Sequence, residues 1–210
     1  TAYEITYGDW SSDVCSSDLQ PDVREVLLTD ERPHPFLPAL FSAISEDRRL
    51  WGLELLIKSR VDWLAEFASS AISEACEAAS ASGSVLHLYL VGFESFHQPD
   101  LDLFNKAVTV AENYAAIETL RSLERRFPRT FEFRRHRAHG IVLSHPWTTM
   151  DSLLENARAM REVRFGDLRG QSLRTRLRLY PSVPLHALAV RDGLLGDVFS
   201  EGRSDRAEEQ

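Results

Sequence analysis

Short apolar segments alternate with longer amphipathic segments along most of the chain. The apolar segments, which are typical of buried strands, are REVLLTDE at 24–31, LWGLELLIKSR at 50–60, VLHLYLVGFES at 85–95, 140–143 and RLRLYPSVPL at 176–185. The segments between them carry helical hydrophobic periods. Because strands and helices alternate, the pattern predicts βαβ units and an α/β domain with a parallel sheet.

Start and stop signals place the helices. Phe36, Leu40, Phe41 and Ile44 share one predicted helical face. Asp62 is suited to cap a helix that runs to about residue 82, and Gly83 ends it.

The helix signals in the second half of the chain are stronger. Thr109 is followed by Glu112, which is the spacing of a capping box. This helix is predicted to end before Pro128, with Ala115, Leu120 and Leu123 on its buried face. The segment TTMDSLLENARAMREV predicts a further capped helix.

The first 19 residues follow a different pattern. They show no helical or strand period, and TAYEI and DWSSDVCSSDL resemble the translation of a sequencing-library adapter. We expect 1–19 to be non-native and disordered, with a natural disordered arm as the alternative. The remaining chain then divides into one domain at 20–200 and a polar disordered tail at 201–210.

Composition restricts the classes of function. The net charge is −8, and half of it lies in 1–19, so the mild acidity gives no support to nucleic-acid binding. No apolar run is long enough for a membrane span. Two cysteines, Cys15 and Cys76, provide no disulfide framework in the domain, and Cys76 is expected to be a small buried apolar residue. A cytoplasmic location fits this usage.

Polar side chains cluster where the predicted strands end. In barrels of parallel strands the reactive groups lie at the carboxyl ends of the strands, so these residues are expected to face one mouth and form a polar small-molecule site. The alternative is a set of solvated strand ends. The residues are Asp30, Glu31, Lys58, Arg60, Glu94, Ser95, His145, Arg178 and Tyr180.

The segment VGFESFHQPDLDLFNKAVTVAENYAAIETLR resembles the second half of the barrel of radical S-adenosylmethionine (SAM) enzymes. Its strand ends G-x-E-S, an N-K-x-x-T turn follows, and the next helix carries A-I-x-x-L-R. HGIVLSHPWTTMDSLLENARAMREV and RLRLYPSVPLHALAVRDGLL are similar to the family's later strand–loop–helix and closing strand. The resemblance covers about 24–195 and implies a partial (β/α) TIM-like barrel with parallel strands that lacks its first strand.

The resemblance also implies a SAM-binding set. Glu31 stands where the family's G-G-E-P stretch receives the SAM amino group, although Thr29 and Asp30 replace the two glycines. Glu94 and Ser95 match polar residues that contact the ribose or carboxylate. Gly140 would allow the adenine to approach closely. Arg60 and Arg178 would hold the SAM carboxylate or an acidic substrate, or would form plain salt bridges inside the barrel.

One defining motif of the family is missing from the sequence. The C-x-x-x-C-x-x-C loop that ligates a [4Fe–4S] cluster is absent, and Cys15 and Cys76 do not form a local set of thiolates. We therefore expect an inactive, truncated fragment whose intact parent uses the cluster to cleave SAM and abstract hydrogen from an unknown substrate. The segment IKSRVDWL also resembles members that pair this barrel with an upstream cobalamin-binding domain, so cobalamin is a candidate cofactor. The alternative is a non-catalytic α/β domain that binds or docks a partner.

Two further patterns were considered as binding sites. His136, His139 and His145 form no recognised zinc motif, and no metal site is expected. Seven arginines between residues 121 and 137 could contact a polyanion, but we expect a solvated face that satisfies a helix C-terminus. They are Arg121, Arg125, Arg126, Arg129, Arg134, Arg135 and Arg137.

Overall fold

A sheet of parallel strands, joined largely through helices, runs through the described part of the chain. The structure is a computed structural model, and it describes residues 3–5, 23–135, 139–166 and 177–195. The strands are β1 (Tyr3–Ile5), β2 (Glu25–Leu28), β3 (Glu54–Arg60), β4 (Val85–Glu94), β5 (Phe131–Glu132) and β6 (Gly140–Ile141). The helices are α1 (Leu37–Glu46), α2 (Val61–Phe67), α3 (Ala71–Ala79), α4 (Gln98–Leu103), α5 (Val110–Arg126), α6 (Met150–Glu162) and α7 (Pro184–Arg191).

The strand order is β1-β2-β3-β4-β5, and every pair is parallel. The long strand β4 has β5 beside its beginning and β6 beside its end. The register between β3 and β4 shifts at Ile57/Lys58, so that Lys58 lies opposite Leu90 and Arg60 opposite Gly92. The carboxyl ends of the two long strands therefore lie side by side.

The two faces of the sheet differ in chemistry. Leu55, Ile57, Leu86 and Leu88 belong to one continuous apolar core with residues of α1, α3 and α5. The opposite face of β3 and β4 carries polar side chains toward the carboxyl ends of the strands. Because successive side chains of a strand alternate between faces, the buried core and the polar face come from the same strands.

The α/β class and the partial barrel with parallel strands are confirmed. The capping box of α5 is also present: the Thr109 hydroxyl accepts from the Glu112 N–H, and the Glu112 carboxylate accepts from the Thr109 N–H. The same arrangement begins α6, where Thr149 and Ser152 bond each other's N–H groups.

Three helix predictions are wrong in detail. The segment after β3 forms two helices, because the chain leaves the helical conformation at Ser70 (ψ −106°), beside the exposed Ser69. Arg60 occupies the N-cap position of α2, and Asp62 lies in its first turn. On α5 the neighbour Ala116 is buried and Ala115 is exposed, because Ala116 continues the period of Leu120 and Leu123.

Two other predictions also fail. Residues 177–180 form no strand, and Leu177 makes a single backbone bond to the Ser144 carbonyl (3.0 Å) before α7 begins at Pro184. Phe36 is 54% exposed, because it lies in a short 3-10 turn that precedes α1 and so does not share the helix period.

The edge of the sheet beside β2 departs from the expectation for 1–19. Residues Tyr3–Ile5 form the short strand β1, whose backbone pairs with Val26–Leu28 of β2. The outer strand of a sheet has unpaired backbone N–H and C=O groups, and a short extended segment can form hydrogen bonds with them. The expectation of disorder is therefore wrong for these three residues, and the rest of 1–19 lies outside the described residues.

Among the helices that the structure describes, none is both long enough and apolar enough to cross a membrane.

Candidate functional site

A cavity of about 350 Å³ lies at the carboxyl ends of β2, β3 and β4. Alternate residues of β3 (Lys58, Arg60) and of β4 (Leu90, Gly92, Glu94) contribute to its wall, which places one face of these two strands at the cavity. Its lining residues are Glu31, Lys58, Ser59, Arg60, Trp63, Leu90, Gly92 and Glu94.

The cavity brings together charges of both signs. Glu31 and Glu94 supply two carboxylates, and Lys58 and Arg60 supply two cations. No ion-pair partner is present for Glu31 or Lys58 in the described part of the chain. Such a site is suited to a polar ligand that carries both a positive and a negative group.

Arg60 is held by contacts on its own side of the cavity. Its guanidinium donates to Asp62 (2.9 Å) and to the Lys106 carbonyl (3.1 Å). The hydrogen bond that Arg60 donates to Asp62 raises the pKa of Arg60, so the side chain stays charged. Burial works against the ionised form of Asp62, but the hydrogen bond and charge of Arg60 lower its pKa overall. Arg60 thus forms a plain salt bridge, but one that is partly exposed and between residues two positions apart in the chain.

Trp63 gives the cavity an aromatic wall. The Arg60 guanidinium lies over its ring, 5.5 Å from the centroid. Behind it, the buried His34 contacts the Trp63 ring edge to face (6.0 Å) and stacks on Phe67 (5.2 Å). The His34 Nε2 lies 3.0 Å from the Ser59 hydroxyl, so the ring supports a lining residue from the core side.

Glu94 lies at the end of β4 and pairs with Lys106, with 2.9 Å between carboxylate and ammonium. The side chain folds back over Gly92: a Cβ at Gly92 would come within 2.9 Å of the Glu94 Oε1. Gly92 therefore leaves the space that this carboxylate occupies. At Gly140, by contrast, a Cβ would lie 3.5 Å from the Gly92 Cα, which is ordinary van der Waals contact.

Ser95 follows Glu94 but does not line the cavity. It is fully buried, and its hydroxyl donates to Asp100 (2.8 Å) and bonds the Asn156 amide. Asp100 also lies 3.2 Å from the Nε2 of the buried His145. This network ties β4 to α4 and α6, because Asp100 belongs to α4 and Asn156 to α6.

The remaining predicted mouth residues separate into different surroundings. Gly140, which was predicted near the adenine and not among the nine mouth residues, lies beside the cavity through its pairing with Gly92 but is not part of the wall. Asp30 accepts the Arg32 N–H (2.7 Å). Arg178 and Tyr180 are exposed in the segment after residue 176 and do not line the cavity. Glu31, Lys58, Arg60 and Glu94 are therefore brought together, and the other five are not.

The described histidines and the described cysteine lie in separate surroundings. His139 is buried, accepts from the Val91 N–H at Nδ1 (3.0 Å) and contacts the Phe133 carbonyl at Nε2 (2.6 Å). Among the described residues, no group of three possible ligands is close enough to hold a metal ion. Cys76 is buried in α3, and burial raises its pKa to about 12. His136 and Cys15 lie outside the described residues.

Several arginines of the run at 121–137 form ion pairs on the surface. Arg126 pairs with Glu77 (3.0 Å), Arg134 with Glu124 (2.9 Å), and Arg135 with Glu25 and Glu54. Partners on α3, α5 and the beginnings of β2 and β3 compensate these charges. Arg137 lies outside the described residues.

Three contributors to the site were not predicted from the sequence: Trp63, Asn113 and Asn156. Trp63 follows β3 by three positions, and nothing in its local pattern distinguishes it from a core tryptophan. Asn113 is buried on the same face as Ala116, Ile117 and Leu120, and Asn156 on the same face as Ser152 and Ala159. A polar residue on the buried face of a helix was the available signal, since such a residue needs hydrogen-bond partners.

No family model matches the chain, and no curated protein matches it. The apo structure of OxsB, a cobalamin-dependent S-adenosylmethionine radical enzyme, aligns with a TM-score of 0.55 at 13% identity, over 87% of this chain and 30% of that chain. The fold is radical SAM-like. At this identity the likeness concerns the fold alone, and the chain spans less than a third of that enzyme.

Two further structures of OxsB align less closely. The form with aqua-cobalamin has a TM-score of 0.44 and 15% identity, over 83% of this chain and 23% of that chain. The form with aqua-cobalamin and S-adenosylmethionine has a TM-score of 0.44 and 16% identity, over 84% and 23%.

Proposed function

We propose that this chain is part of a radical SAM enzyme and that its cavity receives S-adenosylmethionine. The observation that supports the proposal most directly is the meeting of Glu31, Lys58, Arg60 and Glu94 at the carboxyl ends of three parallel strands. SAM carries an ammonium, a carboxylate and a sulfonium, so it presents both charges that the cavity can pair. The radical SAM-like fold is in agreement.

Each lining residue has a role in this proposal. Glu31 receives the SAM ammonium. Lys58 holds the carboxylate, because the Arg60 guanidinium is already paired with Asp62. Glu94 accepts the ribose hydroxyls, and Gly140, which has no Cβ and pairs with Gly92 beside the cavity, lets the adenine approach the backbone. Ser95 supports this wall from the core and Arg178 lies away from it, so neither touches the ligand in this conformation.

The described residues do not fit a [4Fe–4S] cluster. Cys76 is the one cysteine among them, and its thiol is buried in α3 with a pKa raised to about 12, whereas a cluster needs several neighbouring thiolates. In the intact parent the cluster would supply the electron that cleaves SAM. In this proposal the chain shown here binds and orients SAM without turnover, and cobalamin, if used, is held by an upstream domain.

A docking domain without catalysis is the second candidate. On α6, Met150, Leu153 and Leu154 are 69%, 41% and 47% exposed and lie three and four residues apart, so they form an apolar row on one side of the helix. Such a row favours contact with another domain or protein.

Binding of SAM to the 210-residue chain, measured by isothermal titration calorimetry without iron or sulfide, tests the proposal. We expect binding, and we expect Lys58→Met and Glu31→Gln each to weaken it by about tenfold, since each removes a charged contact. Glu118→Gln on the exposed side of α5 is the matched control and should bind as the wild type does. A wild-type chain that binds no SAM would contradict the proposal and favour the docking domain.

A further inference from the structure

Glu94 has a backbone conformation that residues with side chains rarely adopt. Its φ is +63°, and the Ser95 N–H donates to the Phe93 carbonyl (2.8 Å), which is the hydrogen bond of a γ-turn centred on Glu94. A strained turn of this kind persists only where the surrounding contacts hold it, and such turns are concentrated at functional sites.

Asn113 of α5 holds both sides of this turn. It is fully buried, and its Nδ2 donates to the Phe93 carbonyl (2.9 Å) and to the Ser95 carbonyl (2.7 Å). Its Oδ1 is buried without a hydrogen-bond partner in the described part of the chain. The reversed amide would point oxygen at two carbonyl oxygens, so the two donated bonds determine its orientation.

Asn156 of α6 holds the residues that follow the turn. Its Oδ1 accepts the Phe96 N–H (2.6 Å), and its Nδ2 donates to the Ser95 hydroxyl (3.0 Å). On the other side, the Val142 N–H donates to the Glu94 carbonyl (2.7 Å). Contacts from α5, α6 and the segment after β6 therefore all meet at residues 93–96.

The turn decides where the Glu94 carboxylate lies. The side chain passes over Gly92 and reaches Lys106 at the edge of the cavity. In an ordinary extended conformation the Glu94 side chain would project in a different direction, because rotation about the N–Cα bond moves the Cβ relative to the preceding residues. The position of the carboxylate thus depends on the bonds that Asn113 makes.

We propose that Asn113 is a positioning residue that holds the Glu94 carboxylate for recognition of a vicinal diol in the ligand, with Asn156 as a second support. The inference rests on the proposed function, in which Glu94 accepts the ribose hydroxyls. It adds that the recognition requires a buried asparagine on α5 that does not line the cavity.

The first test compares adenosine with 2′,3′-dideoxyadenosine. The quantity measured is the ratio of their dissociation constants for the 210-residue chain. The wild type should prefer adenosine by about tenfold, since a carboxylate forms strong hydrogen bonds with hydroxyls. Asn113→Ala should lose this preference, as Glu94→Gln does. Ile72→Val, which trims a buried residue of α3, should keep it. An Asn113→Ala chain that still prefers adenosine overturns the inference.

A second measurement works without any ligand, so it separates failure of the inference from failure of the proposed function. Unfolding by urea is followed for Glu94→Gln, Lys106→Met and the double variant, in the wild-type, Asn113→Ala and Ile72→Val backgrounds. We expect the effects of the two substitutions on the unfolding equilibrium constant to be non-additive by about threefold in wild type and Ile72→Val.

In the Asn113→Ala background the same effects should be additive, because the carboxylate no longer lies against Lys106. Coupling that persists there, or that is missing in wild type, overturns the inference. If the wild type binds SAM but neither nucleoside, the assigned diol recognition is overturned. If it binds no SAM, the proposed function fails and this cycle alone decides the role of Asn113.

Discussion

His34 shows how a single residue can depend on the fold for its protonation. It is fully buried, its Nε2 contacts the Ser59 hydroxyl, and its Nδ1 has no hydrogen-bond partner in the described part of the chain. Burial, assisted by the charge of Arg32 and opposed by Asp30, lowers its pKa from 6.5 to about 4. Near neutral pH this ring is therefore uncharged beneath the wall of the cavity.

The lowered pKa of His34 predicts a loss of stability in acid. Between about pH 6.5 and pH 4 the unfolded chain takes up a proton that the native chain does not, so the free energy of unfolding falls as the pH falls, by at most about 3 kcal/mol. His34→Gln removes the titration and should flatten this part of the curve. Urea unfolding at pH 4.5 and pH 7 measures it. Equal pH dependence in both chains would contradict the prediction.

At the same scale, the sequence predicted the charged residues of the cavity but not all of the residues that line it. Glu31, Lys58, Arg60 and Glu94 were predicted because each closes an apolar run, and strand ends lie at one edge of a parallel sheet. Ser95 was expected beside them, but it points toward Asp100 and Asn156 instead. The γ-turn at Glu94 directs neighbouring side chains apart, and nothing in the local sequence shows a positive φ at a glutamate.

At the scale of the element, α5 begins at a capping box that local sequence is sufficient to specify. The Thr109 hydroxyl and the Glu112 carboxylate satisfy N–H groups that the first turn would leave unpaired. Hydrogen bonds from Thr109 lower the pKa of Glu112, so the carboxylate stays ionised and suits the positive end of the helix. Asn113 lies in the first turns of this helix, so the capping box also fixes the part of α5 that bonds the backbone on either side of Glu94.

Removal of the Thr109 hydroxyl should destabilise the chain. Thr109→Ala is expected to lower the free energy of unfolding by about 1 kcal/mol, the usual cost of losing a helix cap. Thr119→Ala, in the middle of the same helix, is the matched control and should leave stability unchanged or slightly higher, because alanine has the greater helix propensity. Urea unfolding compares them. Equal effects at the two positions would show that the cap contributes nothing.

At the scale of the whole molecule, the two ends of β2 and β3 are held by different means. At the beginnings of the strands Arg135 bridges Glu25 and Glu54, and Glu54 also contacts His87 (2.9 Å). At the carboxyl ends the charged residues surround a cavity. The sheet therefore carries surface ion pairs at one end and a cavity that is open to a ligand at the other.

The edge beside β2 predicts how the chain associates. The backbone of β1 covers Val26–Leu28, so removal of residues 1–19 should expose an apolar parallel edge and promote association between chains. Light scattering across a concentration series measures it, and removal of 201–210 is the control that should change nothing. A chain without residues 1–19 that stays as monomeric as the intact one would show that β1 does not protect the edge.

The sequence by itself determined the alternation of strands and helices, the caps of α5 and α6 and the charged strand ends, because these depend on residues a few positions apart. Only the tertiary structure decided that the helix after β3 breaks at Ser70, that residues 177–180 form no strand, and that Arg178 lies away from the cavity. It also decided that Asn113 and Asn156 hold Glu94. Contacts between segments that are distant in the chain determine these features. The local pattern of apolar and polar residues does not specify which segments meet.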